Sequence, residues 1–417
     1  MNNYNITNLS NGITVVSEKI SHLKSFALGF WFNTGARDET PGNNGISHFI
    51  EHMVFKGTKH RSAKKISDEI ESYGGYLNAF TTKEHTCFYT KGLQDNLKRS
   101  FIVISDMIQN PLFKDSHIKK EAGVVVDELR DINDNPEELI FDKFEETLFA
   151  GTSLSYPIIG TEKNIRSFNS FKLKKYHTEN FFPSGLLITA SGAVDHDKLV
   201  RLTEDFISVR SRKKNKRKYL DKISQPAEHI IERDIQQFHA ILGKTTYGIK
   251  HEERVKLKIL STILGEGSSS RLFQAVREKL GITYQINTFL NSYYDISAFG
   301  IYFSTNEKFA SRVFKIISRE MRKLSSVAAG QRELKRVKEF IKGGIILSME
   351  NTTNRMFRLA SSMLYFNRII PVEEYLSMID RTTADDLLSL SGELLNEDEL
   401  TRIILKSPNT TINKNAA

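Results

Sequence analysis

Two histidines and a glutamate lie within one short segment near the start of the chain, in the order His48, Glu51, His52. If this segment is helical, residues four apart lie on one face, so the two histidines project side by side. Two imidazoles in this arrangement can bind one zinc ion. Glu51 lies about one turn from His48, where its carboxylate can reach a water at the metal without binding the metal. The alternative is a pair of surface histidines on a helix.

A hydrolytic zinc site needs a third protein ligand and one open position. Glu121 and Glu128 are seven residues apart, two helical turns, on a helix that Ser116 could cap. We predict that Glu128 is the third ligand. Glu121 would accept a hydrogen bond from the other ring nitrogen of a ligand histidine and so orient it. The alternative for Glu121 is an ordinary first-turn glutamate, which the helix dipole favours.

The elements that must position these residues are those of an α+β protein. Both halves of the chain combine helical patterns with alternating strands that look antiparallel. Residues 76–108 and residues 284–321 both follow the order strand, strand, turn, amphipathic helix. We therefore predict an internal duplication that gives two homologous α/β-sandwich-like domains, each an antiparallel-rich sheet with helices packed on it.

The chain length of 417 residues suits two domains. We predict a zinc-binding catalytic domain over residues 1–208, a basic linker over 209–227, a homologous domain over 228–405 and a disordered tail over 406–417. Ser62 is a candidate cap for a helix that ends near residue 74, and Asn135 for a helix with proline at its first position.

The charge and the apolar pattern exclude several classes of protein. Much of the formal net charge of +9 lies in residues 210–218, RSRKKNKRK. Such a block is more typical of a solvated linker than of a nucleic-acid surface, and no nucleic-acid-binding motif accompanies it, so we predict no nucleic-acid partner. No apolar run reaches the roughly 18 residues that a membrane span requires.

The cysteine content and the N-terminal segment indicate a compartment. The single cysteine, Cys87, rules out an internal disulfide and fits a reducing environment, and its alternating surroundings predict a small, half-buried hydrophobic residue. Residues 1–16 have neither a basic segment followed by an apolar one nor an arginine-rich pattern. We predict a bacterial cytoplasmic protein rather than one of the mitochondrial matrix.

Three segments together resemble a known family. HFIEHMVFKGT, GGYLNAFTTKEHTCFY and the helix that ends in VVVDEL resemble the pitrilysin/insulinase family of inverted-motif zinc peptidases. The nearer branch is the catalytic subunit of the mitochondrial processing peptidase and its bacterial relatives. The resemblance extends from residue 11 to about residue 405. It implies one zinc ion per chain, Glu128 as the third ligand and Glu121 as the supporting glutamate.

The second half resembles the family as well. The segment GSSSRLFQAVREKLGITY is similar to the segment that contacts substrate in the family. The resemblance implies that Arg277 and Tyr284 bind the substrate backbone or the developing oxyanion. The alternatives are a helix-surface arginine and a strand tyrosine. The second half lacks its own His-x-x-Glu-His motif, so it resembles a degenerate copy that lost the metal and kept a substrate role.

The resemblance also implies an assembly. In family members of this size two chains form a clamshell, and each active site takes zinc ligands from one chain and the arginine–tyrosine pair from the other. A homodimer, or a heterodimer with a related chain, is therefore expected.

These features together predict a zinc-dependent endopeptidase. Glu51 would act as the general base. The strand around residues 78–82 has the pattern of a sheet edge, and a substrate peptide could add to it as an extra strand along Asn78, Ala79 and Phe80. This mode of binding needs an extended substrate, so we predict peptides or unfolded segments.

Substrate preference is a separate hypothesis. Glu138 and Asp142 lie four residues apart on one helical face, and in processing peptidases the matching acidic pair binds an arginine just before the cut. The alternative is that Glu138 is a first-turn acid without a substrate role. The runner-up function for the whole chain is a non-catalytic scaffold or partner subunit of a processing-peptidase-like complex.

Overall fold

The computed structural model describes residues 4–182, 185–208, 217–220 and 225–408. In that part of the chain the strands are β1 (Tyr4–Asn8), β2 (Thr14–Lys19), β3 (Ser25–Phe32), β4 (Tyr76–Thr81), β5 (Thr86–Leu93), β6 (Leu186–Gly192), β7 (Glu228–Glu232), β8 (Phe238–Tyr247), β9 (Thr283–Ser292), β10 (Ile296–Thr305) and β11 (Thr401–Lys406). The α-helices there are α1 (Ile46–Val54), α2 (Ala63–Glu71), α3 (Leu97–Gln109), α4 (Asp115–Asp134), α5 (Pro136–Leu148), α6 (Glu162–Ser167), α7 (Ser170–Tyr176), α8 (His196–Phe206), α9 (Arg254–Gly265), α10 (Ala310–Ser326), α11 (Gln331–Ser348), α12 (Thr352–Phe366), α13 (Val372–Arg381) and α14 (Ala384–Leu394).

The strands form two mixed sheets. Among the described residues the first has six strands in the order β1-β2-β6-β3-β5-β4, and the second has five in the order β7-β11-β8-β10-β9. Apart from β1, the two orders correspond strand for strand. In both sheets one neighbouring pair is parallel, β2 with β6 and β7 with β11, and the other pairs are antiparallel. This shared topology confirms the predicted α+β class and is what a duplication would produce.

The central strand of the first sheet is covered on both faces. Side chains alternate between the faces of a strand. On β3, Phe30 packs against Phe101 of α3, whereas Trp31 packs against Phe357 of α12. This explains why β3 is apolar almost throughout, although its neighbours are antiparallel and such strands usually alternate.

The two compact units are discontinuous in sequence. The first unit contains residues 1–130, 156–217 and 346–369, and the second unit contains residues 131–155, 218–345 and 370–417. The sequence-continuous division 1–208 and 228–405 therefore differs from the compact units. Helix α5, from the first half of the sequence, packs on β8 and β11, and α12, from the second half, packs on β2, β3 and β6. An amphipathic pattern shows that a helix buries one face, but not which sheet receives that face.

Two of the three predicted helix caps are correct, whereas α2 ends at Glu71 rather than near residue 74. Ser62 caps α2, its hydroxyl accepting from the Lys65 amide at 3.2 Å, and Asn135 caps α5, which has proline at its start. The prediction of Ser116 as a cap is wrong, because α4 already begins at Asp115. The Lys114 carbonyl accepts the first helical hydrogen bonds of this segment.

Three further predictions concern Cys87, the linker and tail, and membrane-spanning helices. Cys87 is fully buried on β5, which confirms that it is a small core residue and shows it more deeply buried than predicted. Most of the predicted linker (209–216 and 221–224) and of the predicted tail (409–417) lies outside the described residues. Across the described residues, none of the helices is long and apolar enough to cross a bilayer.

Candidate metal centre

Helix α1 presents three polar side chains on one face and buries the other. Phe49, Ile50 and Met53 are almost completely inaccessible to solvent. Burying one large apolar side chain contributes about 1.5–3 kcal/mol, so this short helix is held by its packing. His48, Glu51 and His52 are only partly buried and remain reachable from solvent.

The three predicted ligands converge. The ligand atoms of His48, His52 and Glu128 all lie within 4.8 Å of one another. One carboxylate oxygen of Glu128 lies 3.7 Å from Nε2 of His48, and the other lies 3.5 Å from Nε2 of His52. The imidazole rings are 4.7 Å apart between centroids. Two distant segments, α1 and α4, therefore bring two imidazole nitrogens and one carboxylate close enough together to hold one metal ion.

Glu121 lies within hydrogen-bond distance of His52. Its Oε1 lies 3.0 Å from Nδ1 of His52, which leaves Nε2 of that ring directed at Glu128. Its other oxygen forms an ion pair with Lys56 Nζ at 2.8 Å. Burial alone would raise the pKa of Glu121, but the hydrogen bonds to His52 and Lys56 outweigh burial and lower it. A carboxylate that is ionised and bonded to Nδ1 fixes the ring in the orientation that a metal requires.

Glu51 is held by a residue of the neighbouring sheet edge. The hydroxyl of Thr81, the last residue of β4, donates to Oε2 of Glu51 at 2.6 Å. Burial raises the pKa of Glu51, while this hydrogen bond opposes the rise. The side chain therefore has one oxygen bonded to Thr81 and a carboxyl group whose pKa is shifted towards that of a general base.

The two histidines experience different electrostatic environments. Burial, and secondarily the charge of His52, lowers the pKa of His48 to about 4. Burial acts in the same direction on His52, but the hydrogen bond to Glu121 and the charges of Glu128, Glu121 and Glu51 outweigh it and raise its pKa. His48 is thus a neutral imidazole, whereas the carboxylates around His52 favour the protonated, positively charged form of its ring.

The donor set fits zinc. Two imidazole nitrogens and one carboxylate are the ligands of many hydrolytic zinc sites, with a further position open. Nδ1 of His48 is buried and has no hydrogen-bond partner within the described part of the chain, whereas Nε2 of the same ring faces Glu128. Among the described residues, this is the one group of three or more His, Cys, Asp or Glu side chains close enough to hold a metal ion.

Comparison with known proteins agrees with this geometry. Residues 14–162 match the insulinase domain of peptidase family M16, and residues 167–340 match the peptidase M16 inactive domain. A protein of Rickettsia bellii described as an uncharacterized zinc protease is 32% identical over 415 residues, covering 96% of this chain and 97% of its own. The zinc protease YmxG of Bacillus subtilis, also described as uncharacterized, is 32% identical over 400 residues with the same coverage of both chains.

This chain belongs to the M16 insulinase family. Two solved structures show the same fold. A protease from Helicobacter pylori superimposes with a TM-score of 0.91 at 24% identity, covering 97% of this chain and 99% of its own. A Pseudomonas fluorescens structure described as a peptidase M16 inactive domain superimposes with a TM-score of 0.90 at 16% identity, covering 98% and 100%. The predicted pitrilysin/insulinase resemblance is confirmed.

The predicted substrate strand is a sheet edge in this M16 protein. β4 is the last strand of the first sheet. The amide of Ala79 donates to the side-chain oxygen of Asn78 at 2.8 Å, and the Asn78 amide group donates to the Tyr76 hydroxyl at 2.7 Å. Phe80 differs from the exposed Tyr76 and Asn78, because its ring packs edge-on against Trp31 and so belongs partly to the core.

The remaining predicted residues lie in the second compact unit. Arg277 and Tyr284 are neighbours there, with the guanidinium carbon 5.6 Å from the centroid of the tyrosine ring, and Tyr284 is 75% exposed. Glu138 and Asp142 lie on α5. Glu138 accepts a hydrogen bond from the Asn135 side chain at 2.7 Å, so it takes part in the cap of that helix.

Sequence reasoning missed three residues around the site. Lys56 follows His52 by four residues, a spacing that places both on one helical face if the helix continues. Thr81 lies in the predicted edge strand but had no assigned role. Glu39 accepts three hydrogen bonds at the start of α1. The available signal for Glu39 was Gly45, which stands where a helix cap is expected and has no side chain to provide one.

Proposed function

We propose that this M16 family member is a zinc-dependent endopeptidase that cleaves peptides or extended, unfolded segments. The convergence of His48, His52 and Glu128, with Glu51 beside them, is the observation that carries the proposal. The relatives described as zinc proteases support it.

One zinc ion per chain would be held by the two Nε2 atoms and the Glu128 carboxylate. When bound, zinc supplies Lewis-acid chemistry, lowering the pKa of water and polarising a carbonyl group. Glu51 accepts the proton of the attacking water and later delivers it to the leaving amine. Thr81 keeps one carboxylate oxygen of Glu51 engaged, which leaves the other oxygen for that proton.

An extended substrate would bind as an added strand along β4. The Ala79 amide donates to the side chain next to it, Asn78, and a substrate carbonyl could replace that acceptor. Asn78, Ala79 and Phe80 are therefore proposed to contact substrate, with Phe80 acting mainly by fixing the strand. A folded domain cannot offer such a strand without unfolding locally, which explains the restriction to peptides and extended segments.

Arg277 and Tyr284 are proposed to bind the substrate backbone or to stabilise the oxyanion. Both residues are exposed, so their polar groups are available to a ligand, and their contact holds them side by side. We also propose that they act in a dimer, of two copies of this chain or of this chain and a related one, so that each site takes its zinc ligands from one chain and this pair from the other.

Mixing two inactive variants tests the dimer. Glu51→Gln removes the base and Arg277→Ala removes the proposed substrate contact. If the site is shared between two copies, mixed dimers contain one intact site and the mixture regains activity that neither variant has alone. If activity does not return after subunit exchange, shared sites in a homodimer are refuted.

Glu138 and Asp142 are proposed to bind a basic residue near the scissile bond. Their acidity and their placement on one face of α5 support this specificity. Reversing both charges to lysine should lower cleavage of arginine-containing peptides far more than cleavage of matched peptides without arginine. Equal effects on both peptides would refute the preference.

The decisive experiment combines metal analysis with a peptide digest. The wild-type protein should contain zinc and cleave an unstructured peptide in a chelator-sensitive reaction. Glu51→Gln should retain zinc and lose cleavage, because the base is removed and the ligands remain. Glu71→Gln, at an exposed glutamate that ends α2 in the same unit, is the matched control and should retain both. Cleavage by Glu51→Gln at the wild-type rate would refute the proposal.

A non-catalytic scaffold role is disfavoured, because the proposed ligands, the base and the orienting glutamate are all present.

We also propose a bacterial cytoplasmic location, supported by the bacterial relatives and by the single cysteine. Fractionation of cells with immunodetection tests that location, and recovery with the membranes or outside the cell would contradict it.

A further inference from the structure

The helix that carries the metal ligands begins without a side chain of its own to cap it. The first N–H groups of a helix have no partner inside the helix and need an external acceptor. Gly45 occupies the cap position of α1, in the left-handed conformation with φ of 95°, and provides no side-chain acceptor. The metal ligand His48 lies in the first turn, so the exact course of this turn decides where its ring points.

Glu39 supplies the missing acceptor from outside the helix. Its Oε2 accepts from the Gly45 amide at 2.7 Å and from the Asn44 side chain at 2.9 Å, and its Oε1 accepts from the Ser47 amide at 2.8 Å. The residue is only 4% exposed. One buried carboxylate thus binds the backbone on both sides of residue 46 and fixes the rotation of the first turn.

The segment that carries Glu39 is itself fastened. Asp38, the preceding residue, is held by the Arg217 guanidinium through two hydrogen bonds of 2.9 and 2.7 Å. The Arg37 side chain forms a buried ion pair with Glu84 at 2.6 Å, and the Arg37 amide donates to the Lys83 carbonyl at 2.7 Å. Glu39 therefore stands on a rigid support rather than on a free loop.

This support also reaches the general base. The loop at residues 82–85, which binds Arg37, directly follows Thr81, the residue that holds Glu51. The segment of residues 37–39 thus positions the start of α1 through Glu39. It also contacts the loop at residues 82–85, which follows Thr81, the hydrogen-bond partner of Glu51. A displacement of Glu39 would shift the ligands on α1 with respect to Glu128 on α4.

We propose that Glu39 is a positioning residue of the metal centre, which holds the first turn of α1 so that His48 and His52 face Glu128. The inference rests on the proposed zinc site but requires only metal binding, not peptide cleavage. A purely structural cap would change the stability of the unit, whereas a positioning residue changes the zinc affinity of the folded protein.

The test compares zinc affinity between two conservative variants. Glu39→Gln keeps the size of the side chain but replaces one acceptor oxygen by an NH2 group that opposes a backbone N–H. Glu18→Gln is the matched control, since Glu18 is a largely buried glutamate of the same unit with an ion pair to Arg355 at 2.6 Å. Zinc dissociation constants are measured by chelator competition, on protein shown to be folded by circular dichroism.

Glu39→Gln should raise the zinc dissociation constant by about tenfold, which is the lower end of the loss seen when groups that orient metal ligands are removed. Glu18→Gln should change the zinc dissociation constant by less than about threefold. Cobalt substituted for zinc should show an altered d–d absorption spectrum only in Glu39→Gln. A shift below about threefold in Glu39→Gln, or an equal shift in both variants, would overturn the positioning role.

A milder variant covers the case in which Glu39→Gln does not fold. Asn44→Ala removes one of the three donors to Glu39 and should weaken zinc binding in the same direction, and no weakening in this variant would overturn the proposal. The outcomes also separate this inference from the proposed function. A wild-type protein that binds zinc but cleaves no peptide refutes the endopeptidase and leaves the role of Glu39 testable.

Discussion

Replacing Thr81 by valine should lower the turnover of peptide substrates without removing zinc. Valine keeps the β-branched shape of threonine and suits a strand, so the change deletes the hydroxyl and little else. That hydroxyl donates to the Glu51 carboxylate at 2.6 Å. A hydrogen bond to a charged group contributes about 1.5–3 kcal/mol. If the whole of this energy serves to orient the base, kcat falls by roughly 10-fold to 150-fold.

The assay is the steady-state cleavage of an internally quenched peptide, with zinc content measured on the same samples. Thr90→Val is the matched control, because Thr90 lies on the adjacent strand β5 and its buried hydroxyl has no partner among the described residues. This variant should keep both kcat and zinc. The reasoning is refuted if Thr81→Val stays within about threefold of wild type in kcat with full zinc, or if Thr90→Val loses as much activity.

Three further predictions follow from the first unit. Glu121→Gln should raise the zinc dissociation constant by about 10-fold to 100-fold, measured by chelator competition, because it removes the charge that orients a ligand histidine; unchanged affinity would contradict this. Burial lowers the pKa of His177 from 6.5 to about 4. As the pH falls from 6.5 to 4, the histidine of the unfolded chain becomes protonated while that of the folded chain stays neutral. The free energy of unfolding therefore decreases by about 3 kcal/mol over this range. Denaturation followed by the fluorescence of Trp31 should show that loss in wild type and less of it in His177→Phe, and an unchanged pH dependence in the variant would refute the assignment. Gly45→Ala should lower the melting temperature more than Gly74→Ala, because both glycines have positive φ but only at Gly45 would a Cβ approach a carbonyl oxygen to 2.6 Å; equal losses would contradict the clash.

The spacing of the proposed metal ligands along each helix was predictable from the sequence because local geometry determines it. The spacing of His48 and His52 places both on one helical face, and the seven-residue spacing of Glu121 and Glu128 does the same on α4. The convergence of the two helices is a long-range property that helical periodicity does not determine. Glu128 was predicted because a hydrolytic zinc site needs a third protein ligand, and the family resemblance implied the same residue.

The surrounding contacts were less predictable. Thr81 and Glu39 act through hydrogen bonds between segments that are distant in sequence, and residue type alone does not indicate such partners. Val124 shows the limit of reasoning from composition, since it belongs to a run of three valines but is 47% exposed, while Val125 and Val126 are buried. The helical period, not the run of valines, decides which side chains face the core.

Helices α5 and α12 each pack on the sheet formed by the other half of the sequence. This arrangement has a consequence for folding while the chain is being synthesised. The face of the first sheet that contains Trp31 and Leu187 is covered by Met356 and Leu359 of α12, which leave the ribosome long after β6. Until then that apolar face has no native cover, so the unit that contains His48 and His52 cannot complete its core before α12 has been made. A fragment that ends at residue 208 would carry every proposed zinc ligand and still expose this surface, and it is expected to aggregate rather than to bind metal as an isolated domain.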